Sequence, residues 1–149
     1  GSCTGAMETV IWSILGDRDI TSIIYDFWGE QWYRDMKKKK LKINVRRSLN
    51  GKIPNLGNIS LNDDVVFVST GTSTGMTISD TDFISKNHNG LIISDITSSV
   101  FVYDLPWKKI DISVFSWQKA LGSESQHGIV VISPKGLNRI KKKTMFQKY

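Results

Sequence analysis

The chain has 149 residues, 40% hydrophobic and 23% charged, which is the size and composition of one globular domain rather than a disordered or fibrous segment. No apolar run reaches the roughly 18 residues of a membrane span and no signal-peptide pattern stands at the front. The single cysteine, Cys3, excludes a disulfide scaffold and fits a reducing, cytoplasmic compartment. Twenty Lys and Arg against fourteen Asp and Glu give a net charge of +6, which permits polyanion partners without requiring one.

Met7, Val10, Ile11, Ile14 and Leu15 recur at i, i+3, i+4, i+7 and i+8, a pattern that predicts a helix with one apolar face. Ser2 or Thr4 supplies its cap, and Gly16 stands where a helix end wants positive φ. Residues 22–27 then predict a short buried strand. From residue 29 to about residue 40 the pattern is helical again, with Trp32, Tyr33 and Met36 on one side and four lysines closing the last turn. Residues 42–46 alternate as a half-exposed strand does. Asn, Gly, Pro and Ser make residues 48–62 a long connection with room for one helical turn. Val65-Val66-Phe67-Val68-Ser69 is the strongest strand signal in the chain. Residues 91–94, 112–115 and 128–132 predict three more strands, and Ser133-Pro134 starts a last helix. Strands alternating with helices or long connections imply an α/β fold with a largely parallel sheet.

In such sheets ligands gather beyond the carboxyl ends of the strands. Trp28 follows the first predicted strand there. Thr70-Gly71-Thr72-Ser73-Thr74-Gly75, Asp95-Ile96-Thr97-Ser98 and Ser116-Trp117-Gln118-Lys119 follow three others. Ser2-Cys3-Thr4 opens the first helix, at an end that attracts anions. A phosphate seat, a flat aromatic, hydroxyl donors, one carboxylate and one lysine suit a planar heteroaromatic phosphate better than a metal or a nucleoside triphosphate, and pyridoxal phosphate is the candidate. Each part also has a plainer role. Lys119 is otherwise a surface lysine and Asp95 a cap. Trp28 is otherwise a packing residue, and Ser2, Cys3 and Thr4 a helix start. Trp12, Trp32, Trp107 and Met36 read as packing residues. Two histidines and one cysteine without paired spacing give no metal-ligand pattern.

The strings Gly1-Ser2-Cys3-Thr4-Gly5-Ala6, Gly71-Thr72-Ser73-Thr74-Gly75, Asp95-Ile96-Thr97-Ser98 and Phe115-Ser116-Trp117-Gln118-Lys119-Ala120-Leu121-Gly122 resemble phosphoserine aminotransferases, in the branch whose lysine motif is Ser-Trp-Gln-Lys. The likeness continues through Asp104-Leu105-Pro106-Trp107 and into His127-Gly128. It implies a fold-type-I, class V pyridoxal-phosphate enzyme of three-layer α/β/α architecture with a mixed, mostly parallel sheet. The chain would be part of the large cofactor-binding domain, with an N-terminal segment and a C-terminal small domain outside it. By the same resemblance Lys119 is the Schiff-base lysine and Asp95 pairs with the pyridinium nitrogen. Trp28 stacks on the ring, Thr72 donates near the ring oxygen and phosphate, and Gln118 with Ser2, Cys3 and Thr4 holds the phosphate. Cys3 departs from the family pattern, so its contact is expected through backbone rather than thiol. The implied reaction turns 3-phosphohydroxypyruvate and glutamate into phosphoserine and 2-oxoglutarate for serine biosynthesis, in a homodimer. The 149 residues alone are expected to be inactive. Arg46 and Arg47 are the candidates for the substrate's anionic groups.

Three other readings suit parts of the sequence: another class V enzyme, a hydrolase and a nucleic-acid module. A serine hydrolase would use Ser73 in a Gly-x-Ser-x-Gly turn with Asp111 and His127, although residues 76–80 look extended where that motif needs a helix. A basic nucleic-acid-binding module would use the lysines at 37–40 and 141–143, which also suit solvated helix ends.

Overall fold

The computed structural model describes residues 2–48 and 51–146. In chain order these form α1 (Cys3–Ser13), β1 (Ile20–Ile24), α2 (Phe27–Lys38), β2 (Ile43–Arg47), β3 (Asp64–Val68), β4 (Ile92–Asp95), β5 (Ile112–Ser116), β6 (Gly128–Ile132) and α3 (Pro134–Phe146). One sheet holds the six strands in the order β2-β1-β3-β4-β5-β6. The first five pair in parallel and β6 runs antiparallel to β5, so the α/β class and the mixed, mostly parallel sheet are as expected. The strand order reverses between β1 and β3, which opens a crevice at their carboxyl ends.

Side-chain alternation divides the sheet into two faces. Val66, Val68, Ile93, Ile112 and Val114 point to the side covered by α1 and α2, where they meet Met7, Val10, Ile11, Trp32 and Met36. Val65, Phe67 and Ile92 point to the other side, under Ile53, Leu56, Ile59, Ile78, Phe83 and Ile84. Those covering residues lie in segments without helix. Among the described residues, the second outer layer of the α/β/α arrangement is therefore irregular chain packed on the sheet. The connection from 51 to 62 likewise contains no helical turn.

Element boundaries moved where side chains compete with the backbone ladder. β1 ends at Ile24 rather than at residue 27. The Tyr25 hydroxyl donates to the carbonyls of Val68 and Ser69, and the Asp26 carboxylate caps α2 by accepting from the Gly29 N–H at 2.8 Å. The helix therefore begins at Phe27, and Trp28 sits on its first turn instead of in a loop. At the opposite end of α1, Lys39 Nζ donates to the carbonyls of Ile11, Trp12 and Leu15, while Lys143 donates to Ile14 and Leu15. Cations there satisfy carbonyls that the helix leaves open. Lys38 pairs with Asp35, and Lys37 lies over the Tyr33 ring. Lys37, Lys38 and Lys39 of the first lysine run and Lys143 of the second are thus engaged by internal contacts, in keeping with helix ends.

Candidate active site

Asp95 ends β4 on the same side as Ile93 because strand side chains alternate. That side faces α1 and α2, so the carboxylate is aimed beneath the starts of both helices. Its neighbours in register are Val68 and Val114. Asp95 is 4% exposed. Oδ1 accepts from the Thr97 N–H at 3.0 Å and from Thr97 Oγ1 at 2.7 Å, and Oδ2 accepts from Trp32 Nε1 at 3.2 Å. All three donors are neutral, and no cation pairs with this carboxylate among the described residues. Burial pushes its pKa above the usual carboxylate value, against the opposing pull of Thr97 and of the neighbouring Cys3 and Trp32.

The Cys3 thiol reaches Thr97 Oγ1 at 3.0 Å. Because Thr97 gives its own hydroxyl proton to Asp95, the thiol is the donor in this contact. The thiol therefore has a protein partner in Thr97, separate from the backbone contact expected of Cys3 at a phosphate. Burial, followed by the charge of Asp95, raises the thiol to about 12, so it stays protonated and inert as a nucleophile at neutral pH.

Above Asp95 lies a cavity of about 350 Å³, within the range of small-molecule sites. Ser2, Cys3, Thr4, Trp28, Thr72, Asp95, Gln118 and Lys119 all line it. Eight residues singled out along the chain are therefore brought to one place. Each arrives by its own local logic. Ser2 caps α1 by accepting from the Gly5 N–H at 3.2 Å, which leaves the first-turn N–H groups of Cys3 and Thr4 at the cavity edge. Gly128 allows that helix start to lie on β6, since a Cβ there would stand 2.2 Å from the Ser2 carbonyl oxygen. Gly71 lets the turn after β3 close on Asp26, where a Cβ would come within 2.9 Å of the aspartate's own Cβ. The next residue, Thr72, shares a hydrogen bond with Ser98 at 2.9 Å. Gln118 and Lys119 stand exposed on the turn that follows β5.

Trp32, Val68, Thr97, Ser98 and Ser125 also line the cavity and were not picked out as site residues. Trp32 lies four residues after Trp28, one turn along the same helix face, and the two rings stack at 5.6 Å and 28°. That spacing was a usable signal. Arg46 and Arg47 do not reach this cavity. Arg46 donates to the Asn58 carbonyl at 3.1 Å, and Arg47 pairs with Glu30 at 3.0 Å and lies over Tyr33.

The hydrolase arrangement is absent. Asp111 precedes β5 and is engaged by the Ile92 N–H, Ser133 and Lys135. The His127 carbonyl accepts from Ser116 at the far end of that strand. Residues after Ser73 return through a bridge between Thr70 and Thr77 instead of entering a helix. No helix among the described residues is long and apolar enough to cross a membrane.

No protein-family model matches the chain. A curated phosphoserine aminotransferase of Methanosarcina barkeri is 39% identical over 145 residues, which are 96% of this chain and 39% of that protein's length. Among solved structures, a phosphoserine aminotransferase of Cytophaga hutchinsonii superposes with a TM-score of 0.87 at 20% identity, over 99% of this chain and 42% of its own. The PLP-bound phosphoserine aminotransferase of Trichomonas vaginalis gives a TM-score of 0.67 at 12% identity, covering 100% of this chain and 47% of its own. These two likenesses bear on the fold. The sequence match spans nearly all of these residues and 39% of its relative's length, so the chain is similar to one part of the curated phosphoserine aminotransferases.

Proposed function

We propose that the cavity holds pyridoxal phosphate and that the chain is the cofactor-binding part of a transaminase making phosphoserine. The observation that carries this is a buried carboxylate with only neutral partners, Asp95, lining one cavity with the exposed amine of Lys119. The site fits the group on its own chemistry. Asp95 lacks a cation, and a protonated ring nitrogen is one. The α1 N-terminus with Ser2 and Thr4 suits a phosphate dianion. The Trp28 indole suits the face of a ring.

In this reading Asp95 holds the ring nitrogen in its protonated form, and Trp28 keeps the ring flat in the cavity. Thr72 and Gln118, with the first turn of α1, fix the phosphate and so set the angle at which substrate meets Lys119. When bound, pyridoxal phosphate supplies an electron-withdrawing ring that takes up the electrons left when an α-carbon loses its proton. Lys119 Nζ takes that proton from the α-carbon of the amino donor and later delivers one to the α-carbon of the acceptor, acting as base and then as acid. Glutamate as donor, 3-phosphohydroxypyruvate as acceptor, a homodimer and a cytoplasmic setting belong to the same proposal. They are supported by the sequence similarity to curated phosphoserine aminotransferases and, for the compartment, by a free buried thiol at Cys3.

The test is transamination by the complete polypeptide with glutamate and 3-phosphohydroxypyruvate, alongside an absorbance titration with pyridoxal phosphate. Cofactor-dependent phosphoserine formation, lost with Lys119→Ala, supports the reading. Stoichiometric binding that survives Lys119→Ala with an unchanged spectrum removes it.

A further inference from the structure

We propose that Trp32 is a positioning residue for Asp95, its indole N–H fixing the one carboxylate oxygen that a bound ring can use. The inference rests on the pyridoxal phosphate assignment. A carboxylate oxygen has two acceptor positions. Both positions on Oδ1 are taken, by the Thr97 N–H and the Thr97 hydroxyl. Oδ2 accepts from Trp32 Nε1, while the nearby Cys3 thiol is turned to Thr97, so a cationic donor in the cavity approaches at the second position on Oδ2. Thr97 grips the carboxylate from the turn after β4, and Trp32 grips it from α2. Together they stop rotation about the terminal carboxylate bond.

Trp32 is also 1% exposed and stacked on Trp28. One side chain thereby ties the group that takes the ring nitrogen to the indole that takes the ring face. Phenylalanine would keep the stacking and lose the N–H.

Trp32 has a titration consequence that simple packing would lack. A donor to the charged carboxylate favours the charged form, so losing it lets Asp95 take up a proton at higher pH. The titratable groups facing Asp95 are Cys3 from α1, Tyr25 from the end of β1 and Lys119 in the same cavity. Cys3 and Tyr25 are both pushed up by burial and stay neutral over the range in question.

The experiment measures bound pyridoxal phosphate in the complete polypeptide as pH is lowered from neutral, for wild type, Trp32→Phe and the exposed control Trp12→Phe. Trp32→Phe is expected to bind about tenfold more weakly and to reach half-release about one pH unit higher, with Trp12→Phe unchanged. A superimposable release curve overturns the role of Trp32 while leaving the cofactor assignment standing, even if thermal stability falls. Wild type that retains no cofactor overturns both. If Trp32→Phe does not fold, the ¹⁵N indole resonance of Trp32 in wild type decides. It should move when pyridoxal phosphate is added, and an unmoved resonance overturns the proposal.

Discussion

Two buried aspartates on adjacent strands of this sheet are treated in opposite ways. Asp64 opens β3 at the amino end and is 0% exposed. Arg139 of α3 pairs with it at 3.0 and 3.3 Å, and the Leu91 N–H donates to it at 2.8 Å. Asp95 closes β4 at the carboxyl end, equally buried, with indole, hydroxyl and amide donors but no cation. A buried charge without a countercharge is costly, and a paired one is costly to break. The amino end of the sheet is therefore complete within the described chain. The carboxyl end is left with a buried carboxylate that has no cation among the described residues, the position proposed above for the ring nitrogen.

This contrast can be broken experimentally. The largest expected effect is at the open end. Lys119→Ala should lower transamination by about 10²–10⁴-fold through the lost proton transfer alone, with little change in melting temperature because the side chain is exposed. Next comes the closed end, where Arg139→Ala strands the Asp64 carboxylate and should cost about 3–5 kcal/mol in a denaturant titration. Gly128→Ala should cost about 1–3 kcal/mol and weaken cofactor retention, because it pushes the α1 start away from β6. Replacing Lys39 by Ala removes three carbonyl contacts at the α1 terminus and should cost about 1 kcal/mol.

Asp95→Asn is the sharpest of the set, since it should separate stability from binding. The folded-state pKa of Asp95 lies above its unfolded value. At neutral pH the carboxyl is charged in the unfolded chain and penalised in the fold without its ligand. As pH falls through the folded pKa toward the unfolded one, the native state takes up the extra proton and this penalty is relieved. Asp95→Asn should therefore leave the cofactor-free protein as stable as wild type or slightly more stable at neutral pH, and should flatten that part of the pH dependence. It should bind pyridoxal phosphate far more weakly. A loss of stability comparable to that of Arg139→Ala would erase the distinction between the two ends.

The strands were legible because runs such as Val65-Val66-Phe67-Val68 have few alternatives to a buried strand. Boundaries were less so, since the end of β1 depends on where Tyr25 and Asp26 find partners on β3 and α2. The eight candidate site residues were legible from chemistry placed after strands and from the family resemblance together. Trp32 was passed over because a tryptophan on the apolar face of a helix looks the same whether it only packs or also donates a hydrogen bond. Here it does both. Ser125 lies in a polar loop with no periodicity to point at the cavity. The lysine runs were recognisable as helix ends, but the carbonyls that Lys39 and Lys143 satisfy lie at and just after the end of α1, distant in sequence from both. The irregular covering of the second sheet face had no signature either, because Ile53, Leu56 and Phe83 are too sparsely spaced to predict a layer.

The central claim is that Asp95 and Lys119 hold two sides of one ring. An experimental structure of the complete polypeptide grown with pyridoxal phosphate tests it most directly. The expected result is the ring nitrogen at hydrogen-bonding distance from Asp95 Oδ2 and the aldehyde carbon joined to Lys119 Nζ, with Trp28 against the ring face. A ring bound elsewhere, or bound here with its nitrogen turned away from Asp95, would contradict it.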